Sequence, residues 1–269
     1  MKISYFLWRQ IMNVYVWAQK SRVQHNFKRM SQDKVFDQPR EASDFKFGQE
    51  VVTVFDDMVS RSVPFYGEIQ RMISEIGQDF AVKNTNLYDL GCSTGASLIL
   101  LDNVIDNKVK FVGLDDSQEM LNKCDKKLQK NGIKREYDLS FADLNKGVKL
   151  ENASVVNLCL TLQFIRPLNR EQLVKDIYKG MNENGCLILT EKVLGEDSLF
   201  NRLFIKYYYD MKRRHHYSDM EISQKREALE NVLIPYKLEE NKALLTKCGF
   251  KSVDVFFKWY NFCGIIAVK

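Results

Sequence analysis

The sequence lacks several features that would place the protein in other classes. The 269 residues contain no apolar run of about 18 residues, which argues against a membrane-spanning helix. The longest apolar stretches, such as Cys263–Val268, have only the length of a strand. We find no internal repeat and no low-complexity tract, so a repeat architecture is not expected.

Residues that bind metals are also sparse. Six cysteines are scattered without a Cys-x-x-Cys pair, and two of the three histidines are adjacent, so we expect no metal site. Cys159, Cys186 and Cys263 fall in strand-like runs. They are typical of small buried hydrophobic residues in a reducing compartment, which predicts a cytoplasmic protein.

The net charge of +5 comes from one end of the chain. Residues 1–29 hold six of the 40 basic residues and no acidic one, and the remaining 34 basic residues nearly balance 35 acidic ones. The body therefore lacks the overall positive field of a nucleic-acid-binding protein. Residues 1–29 lack a clear signal-peptide pattern, which leaves an amphipathic surface helix or a dispensable extension. We expect the extension, with the domain spanning 30–269.

Hydrophobic periodicity predicts strands that alternate with helices. Two amphipathic helices come first, around 51–59 and 69–76, with a turn at 62–66 between them. The predicted strands are 87–90, 111–114, 137–141, 155–162 and 186–190, followed by an antiparallel pair at 252–257 and 262–268. Helices are predicted at 97–104, after a Ser117 cap and near 169–181.

This order predicts one α/β domain, since 45% hydrophobic content suffices for one large core. We expect a Rossmann-like class I methyltransferase fold: a doubly wound parallel sheet with a C-terminal antiparallel hairpin. Residues 194–246 interrupt the alternation with two long helical patterns. The second pattern, from Ile222 to Leu233, opens with a capping box formed by Ser218 and Glu221. We interpret this insertion as a helical lid over the ligand crevice.

The strongest local motif is Asp89-Leu90-Gly91-Cys92-Ser93-Thr94-Gly95, between a strand and a helix. Its glycines allow close approach of a ligand to the backbone at the carboxyl end of the sheet. A dinucleotide motif has three glycines in the pattern Gly-x-Gly-x-x-Gly, and here Ser93 stands in place of the middle one. The acidic Asp89 just before the loop also disfavours a pyrophosphate. Asp89 suits the ammonium group of an amino acid instead. The plain alternative is an ordinary tight turn.

Carboxylates follow the next two strands. Asp115 and Asp116 end the second strand, where one can accept ribose hydroxyls while the other caps the helix. Asp143 follows the third strand and is placed to accept the exocyclic amine of adenine, although a solvated loop residue would look the same. Together these motifs predict a ligand built of adenosine and an amino acid, which is S-adenosylmethionine.

At these residues the chain resembles the carboxy-S-adenosylmethionine synthase family over about residues 45–269. The matching segments are Phe55–Met58 with Arg61–Pro64 and Tyr66, Tyr88–Ser93, Thr161–Phe164, Glu191-Lys192, and Tyr217 to Asn231. The first-strand motif is generic to methyltransferases, whereas the Ser-Gln-Lys-Arg helix at 223–226 is specific to this family.

The resemblance implies a homodimer that converts S-adenosylmethionine and prephenate to carboxy-S-adenosylmethionine and phenylpyruvate. The product would pass to a separate enzyme, a carboxymethyltransferase that modifies the wobble uridine of transfer RNA, so direct binding of nucleic acid or membrane is not expected. The implied ligand contacts are Tyr66, Gly91, Cys92, Ser93, Asp115, Asp116, Asp143 and Leu144, with Arg226 as the catalytic residue that holds the new carboxylate.

One implied contact departs from the family pattern. Cys159 stands where the family has asparagine, so a backbone contact would survive and a side-chain hydrogen bond would not. Asn157 lies on the same face of the strand, two residues away, and offers a partial substitute.

Two observations favour carboxylation over methyl transfer. The segment Leu162–Pro167 after the fourth strand contains no acidic residue that could activate an amine. Arg226 follows Ile222 and precedes Leu229 and Leu233 at helical spacing, which predicts a buried guanidinium that needs an anion. A structural pair with Glu230 or a side chain that reaches solvent would explain the same spacing.

Two other functions fit the same motifs. One is a methyltransferase of the same fold acting on transfer RNA or a small molecule, and the other is a non-catalytic S-adenosylmethionine-binding subunit. Prephenate separates them, because only a synthase would convert it. The proposed chemistry, from the resemblance, is capture of the carbon dioxide of prephenate by a sulfonium ylide. No residue is identified as the acceptor of the methyl proton, a role open to the prephenate leaving group.

Overall fold

The computed structural model describes residues 32–41 and 43–269. The predictions for residues 1–29 lie outside this part. Within the described residues two helices precede the sheet, α1 (Gln49–Ser62) and α2 (Tyr66–Phe80), as the hydrophobic pattern predicts. Ile69 and Ile73 of α2 are fully buried, because they lie one turn apart on the face that packs against the sheet.

In the part of the chain that the structure describes, eight strands form the sheet, of which β6 is a two-residue strand paired with the end of β5. The first five are β1 (Asn86–Leu90), β2 (Lys110–Asp115), β3 (Tyr137–Phe141), β4 (Ala153–Cys159) and β5 (Met181–Leu194). The others are β6 (Tyr236–Lys237), β7 (Ser252–Trp259) and β8 (Phe262–Val268). The order β3-β2-β1-β4-β5-β8-β7 is that of a doubly wound sheet.

The strand directions confirm the predicted fold class. Strands β1 to β5 run parallel, and β8 is antiparallel to both β5 and β7. The connecting helices are α3 (Ala96–Asp102), α4 (Gln118–Lys130) and α5 (Pro167–Gly180). Side chains alternate across β1, so Leu87 belongs to the core on one face and Leu90 to the core on the other.

Several boundaries differ from the predicted ones. Strand β4 ends at Cys159, because Leu160 has a left-handed φ of 62° and the next residues form a 3-10 turn. Helix α5 begins at Pro167, whose fixed φ suits the first helical turn, and not near Asn169. Strand β5 is longer than predicted and carries the half-buried Lys192 between the buried Glu191 and Val193.

Residues 194–246 contain α6 (Ser198–Arg214), α7 (Asp219–Leu229) and most of α8 (Leu238–Lys247). The predicted capping box of Ser218 and Glu221 is present at the start of α7. Helix α8 packs on the core through the fully buried Leu245, so only α6 and α7 lie beside the crevice. Among the residues that the structure describes, no helix is both long and apolar enough to cross a membrane.

Candidate active site

A crevice opens at the carboxyl ends of β1, β2 and β4, where the strand order reverses between β1 and β4. It encloses about 1490 Å³ of free space, including the part open to solvent. Open α/β sheets bind ligands at such a switch point, so the crevice is the candidate site.

Most of the predicted site residues meet in this crevice. Nine of the eleven line it, namely Tyr66, Asp89, Gly91, Cys92, Ser93, Asp115, Asp116, Leu144 and Cys159. Asp143 and Arg226 are absent from the lining. The segment before the sheet and the insertion after β5 also line the crevice, for example through Phe47 and Tyr208.

The loop after β1 is held close to the neighbouring strand. Gly91 has a φ of 79°, and its N–H donates to the Leu114 carbonyl oxygen at 2.7 Å. A β-carbon at this position would lie 2.7 Å from Cγ2 of Thr161, so glycine is required for both reasons. Ser93, which replaces the middle glycine of a dinucleotide motif, also adopts a left-handed φ of 52°. Gly95 then caps α3, as predicted for a strand–loop–helix motif.

Asp89 is a buried carboxylate without a cationic partner among the described residues. It is 2% exposed, and Nδ2 of Asn157 donates to its Oδ1 at 2.8 Å. Burial raises the pKa of Asp89 to about 7, against the opposing effect of this hydrogen bond. A ligand ammonium would supply the missing positive charge. Asn157 is fully buried and outside the crevice lining, so the suggested substitution for the family asparagine is wrong.

Asp115 and Asp116 divide their roles. The backbone N–H groups of Ser93 and Ser117 donate to Asp115 at 2.8 and 2.9 Å, which ties the end of β2 to the glycine loop. Burial raises the pKa of Asp115 to about 6 despite these bonds. Asp116 is exposed at the crevice, and the cap of α4 is Ser117, as predicted.

The segment after β3 lines the crevice through Ala142, Leu144 and Asn145. The side chain of Asp143 instead accepts a hydrogen bond from the Asn145 backbone N–H at 3.0 Å. This bond caps the short 3-10 turn that follows. In this structure Asp143 therefore shapes the loop, whereas the apolar side chain of Leu144 faces the crevice.

Cys159 ends β4 beside Tyr66 and Gln70. The Gln70 Nε2 atom donates to Sγ of Cys159 at 3.4 Å, and Oε1 of Gln70 is buried without a partner among the described residues. Burial raises the pKa of the Cys159 thiol well above its ordinary value, so it remains protonated. The position thus offers a weak donor where the family asparagine would offer an amide.

The prediction that Arg226 is buried is wrong. It is exposed, and no described hydrogen bond or ion pair joins it to Glu230 or any other residue. The prediction extended the helix to Leu233, but α7 ends at Leu229 and its buried face consists of Ile222, Lys225 and Ala228. The adjacent residue, Lys225, therefore occupies the position expected for Arg226.

Lys225 and Lys192 are the crevice residues that sequence reasoning missed. Both line the crevice, and Lys225 is only 7% exposed. Burial lowers the pKa of each ammonium to about 8. The sequence offered one signal, since Glu191-Lys192 and the segment containing Lys225 both belong to the family-like motifs.

Comparisons with known proteins agree with this geometry. Residues 87–185 match a family described as a methyltransferase domain. A carboxy-S-adenosyl-L-methionine synthase from Methylococcus capsulatus is 57% identical over 242 residues, covering 89% of this chain and 100% of that one. A synthase of the same name from Nitratiruptor sp. is 42% identical over 240 residues, covering 89% and 99%.

The solved structures that resemble this chain share its fold. An O-methyltransferase family protein from Burkholderia thailandensis superposes with a TM-score of 0.62 at 14% identity. The match covers 83% of this chain and 60% of that one. At this identity the likeness bears on the arrangement of strands and helices alone.

Proposed function

The chain belongs to the carboxy-S-adenosyl-L-methionine synthase family, and we propose that it converts S-adenosylmethionine and prephenate to carboxy-S-adenosylmethionine and phenylpyruvate. The observation that carries this proposal is the 57% identity over the full length of a synthase of that name. The family resemblance read from the sequence motifs is confirmed by the same match.

The reaction balances without an added reagent. The prephenate dianion breaks into phenylpyruvate, carbon dioxide and hydroxide, and the hydroxide removes a proton from the S-methyl group as water. The methyl carbon then forms a bond to the carbon of carbon dioxide. The role of the protein is to keep the two reactants together and exclude bulk water, since hydroxide and carbon dioxide would otherwise diffuse away.

The crevice supports this proposal at its amino-acid and ribose ends. Asp89, which lacks a cationic partner among residues 32–41 and 43–269, suits the α-ammonium group of S-adenosylmethionine. Asp116, exposed at the end of β2, suits the ribose hydroxyls. Leu144 and Ala142 offer an apolar surface for adenine, and we retain Asp143 as the acceptor for its amine.

The test is to incubate the purified protein with S-adenosylmethionine and prephenate and to analyse the small molecules by mass spectrometry. We expect S-adenosylmethionine plus one carboxylate, together with phenylpyruvate in equal amount. Recovery of only S-adenosylmethionine or S-adenosylhomocysteine would contradict the proposal. A methylated acceptor appearing without prephenate would support methyl transfer in its place.

The assignment of Arg226 to the new carboxylate remains a separate proposal. Arg226 is exposed and lies outside the crevice lining of its own chain, so such a contact requires a rearranged lid or a second copy in the proposed homodimer. We expect Arg226→Ala to weaken binding of the carboxylated ligand by about 10- to 150-fold, the loss of one hydrogen bond to a charged group. Calorimetry with both ligands is the measurement, and equal effects on both would contradict the assignment.

The remaining parts of the proposal concern the setting of the enzyme. We propose a cytoplasmic homodimer whose product is used by a separate carboxymethyltransferase on the wobble uridine of transfer RNA. Residues 1–29 are proposed to be dispensable. Size-exclusion chromatography with light scattering tests the homodimer, and a monomeric active enzyme would contradict it.

A further inference from the structure

Three lysines from three different elements converge beside α6 and α7. Lys192 comes from β5, Lys212 from α6 and Lys225 from α7, and we call them the lysine cluster. Lys192 and Lys225 line the crevice, and Lys212 lies behind them at 4% exposure. Lysines are seldom buried without a partner, so a group of three at a ligand crevice requires an explanation.

Two tyrosine rings hold the three ammonium groups together. Nζ of Lys192 lies 5.0 Å from the centre of the Tyr208 ring, and Nζ of Lys212 lies 5.4 Å from both the Tyr208 and Tyr217 rings. Nζ of Lys225 lies 5.7 Å from the Tyr217 ring. The Tyr208 ring therefore faces two of the ammonium groups, and the Tyr217 ring faces two of them together with the Arg61 guanidinium at 4.2 Å. These shared rings fix the ammonium groups near one another.

Negative charge near the cluster is insufficient to balance it. Asp33 lies 3.9 Å from Nζ of Lys225, and its carboxylate also accepts a hydrogen bond from Tyr217 at 2.6 Å. Glu221 interacts with Lys212 and Lys225 only at a distance, and its side chain is engaged in the capping box of α7. The nearby Arg61 adds positive charge, and it pairs with Asp57.

Among the described residues, the ammonium groups also lack hydrogen-bond acceptors. In the described part of the chain, Nζ of Lys225 is buried without any hydrogen-bond partner, and no carboxylate pairs with Lys192 or Lys212. Burial and mutual repulsion lower the pKa of Lys212 to about 7. The positive charge of the protonated cluster is therefore poorly balanced, and an anionic ligand would stabilise it.

Resting on the proposed function, we propose that the lysine cluster is the binding site for the carboxylates of the anionic co-substrate, a cyclic dicarboxylate of the prephenate class. Lys192 and Lys225 contact the anion, and Lys212 reinforces their positive potential from behind. The lysine cluster does not stabilise a cationic sulfonium, whereas it does stabilise a dianion. The adjacent rings of Tyr208 and Phe262, with centres 5.4 Å apart, both line the crevice and offer an apolar surface to the substrate ring.

The test compares Lys225→Met, Lys192→Met and the double variant with the wild type in steady-state kinetics. We expect each single change to raise the KM for prephenate roughly tenfold or more, and the double change to raise it further. The dissociation constant of S-adenosylmethionine should stay within about twofold, because its contacts lie at Asp89 and β2. Lys225→Arg should recover part of the lost affinity, since it restores the charge.

Two controls separate ligand binding from structural damage. Lys206→Met changes an exposed lysine of α6 that pairs with Asp210, and should leave both constants unchanged. The melting temperature of Lys225→Met should fall little, because the nearest carboxylate, Asp33, is 3.9 Å away and keeps its hydrogen bond from Tyr217. A lower melting temperature together with an equal loss of affinity for both substrates would assign the cluster to structure and overturn the inference.

A binding experiment distinguishes this inference from the proposed function. Prephenate is titrated into the wild type in the presence of S-adenosylhomocysteine, which has no methyl group to react. Binding that disappears in the double variant supports the lysine cluster even if the wild type converts no prephenate, in which case only the proposed function fails. Conversion by the wild type with an unchanged KM in the variants would overturn the lysine cluster alone.

Discussion

The crevice carries charges of opposite sign on two sets of elements, which we call its carboxylate end, after β1 and β2, and its lysine end, on β5 and α7. Asp89 and Asp115 lie at one end, where burial raises their pKa values to about 7 and 6. Lys192 and Lys225 lie at the other end, where burial lowers their pKa values to about 8. In both places the charged form is disfavoured until a counter-charge arrives. The crevice is therefore suited to two ligands, a cationic amino acid and an anion, each at its own end.

The two ends are also built differently. The carboxylates are fixed by neighbouring backbone and by Asn157, since Ser93 and Ser117 donate their N–H groups to Asp115. The lysines come from separate elements and are held through aromatic rings. The carboxylates are thus positioned by local backbone contacts and the lysines by tertiary packing. Ligand binding at the two ends should therefore respond differently to mutation and pH.

The largest expected effect comes from Asp89→Asn. This change keeps the shape but removes the charge that faces the ligand ammonium, and a hydrogen bond between charged groups is worth about 1.5–3 kcal/mol. We expect the affinity for S-adenosylmethionine to fall about 10- to 150-fold, measured by calorimetry. Prephenate binding in the absence of nucleoside should be unchanged. Asp116→Asn, at the exposed neighbouring site, should reduce the affinity for S-adenosylmethionine by less than Asp89→Asn does.

A result in which Asp89→Asn weakens prephenate as much as S-adenosylmethionine would break the division of the crevice into two ends. An affinity for S-adenosylmethionine within about threefold of the wild type would also contradict this division, because the buried carboxylate of Asp89 would then not contribute to ligand binding.

The pH dependence should differ between the two substrates. The pKa of Asp89 is about 7 in the free protein, and a bound ammonium would lower it. The carboxyl must then lose its proton for tight binding, so affinity for S-adenosylmethionine is full above pH 7 and falls as pH drops below it. We expect a loss of about tenfold between pH 8 and pH 6, measured by calorimetry in buffers of matched ionic strength.

For prephenate the sign is reversed. The pKa values of Lys192 and Lys225 are about 8 in the free protein, and a bound carboxylate would raise them. Affinity is full below pH 8 and falls as the free lysines lose protons above it. Opposite slopes for the two substrates would sharpen the comparison. Parallel slopes would show that both bind against the same charges.

Cys159→Asn should have a smaller effect, confined to the carboxylate end. The asparagine of the family adds an amide that Gln70 can bond and that faces the crevice. We expect the affinity for S-adenosylmethionine to rise about threefold, consistent with one neutral hydrogen bond of about 0.5–1.5 kcal/mol. Cys159→Ala is the matched control and should give no gain. A weaker affinity for the asparagine variant would contradict this expectation.

The smallest effect is expected from removing residues 1–29. None of the sequence motifs assigned to either end of the crevice contains a residue of that segment. A chain beginning at Met30 should therefore keep kcat and both KM values within about twofold of the full chain. Steady-state kinetics on the purified shortened protein provides the measurement. A selective rise in the KM for prephenate would mean that the basic segment 1–29 contributes to the lysine end.

The sequence predicted the carboxylate end well because its determinants are local. The order of strands, the glycine loop and the cap at Ser117 all follow from short motifs whose residues are close in the chain. The lysine cluster was not predictable in this way. Whether Lys225 or Arg226 faces inward depends on where α7 ends and on which of its faces packs against the rest of the protein. In a helix of 11 residues, the spacing of the apolar residues alone does not determine that face.

The position of β8 has a consequence for how the protein is made. The seven residues Phe262–Val268 follow β7 in the chain, yet they lie between β5 and β7 in the finished sheet. Lys269, directly after β8, donates from Nζ to the Met181 carbonyl oxygen at 2.7 Å. Until β8 has been synthesised, the nascent chain presents β5 as an open, apolar edge that other chains can pair with. The sheet is therefore completed only after β8 has left the ribosome, and a chain without β8 would leave that edge exposed.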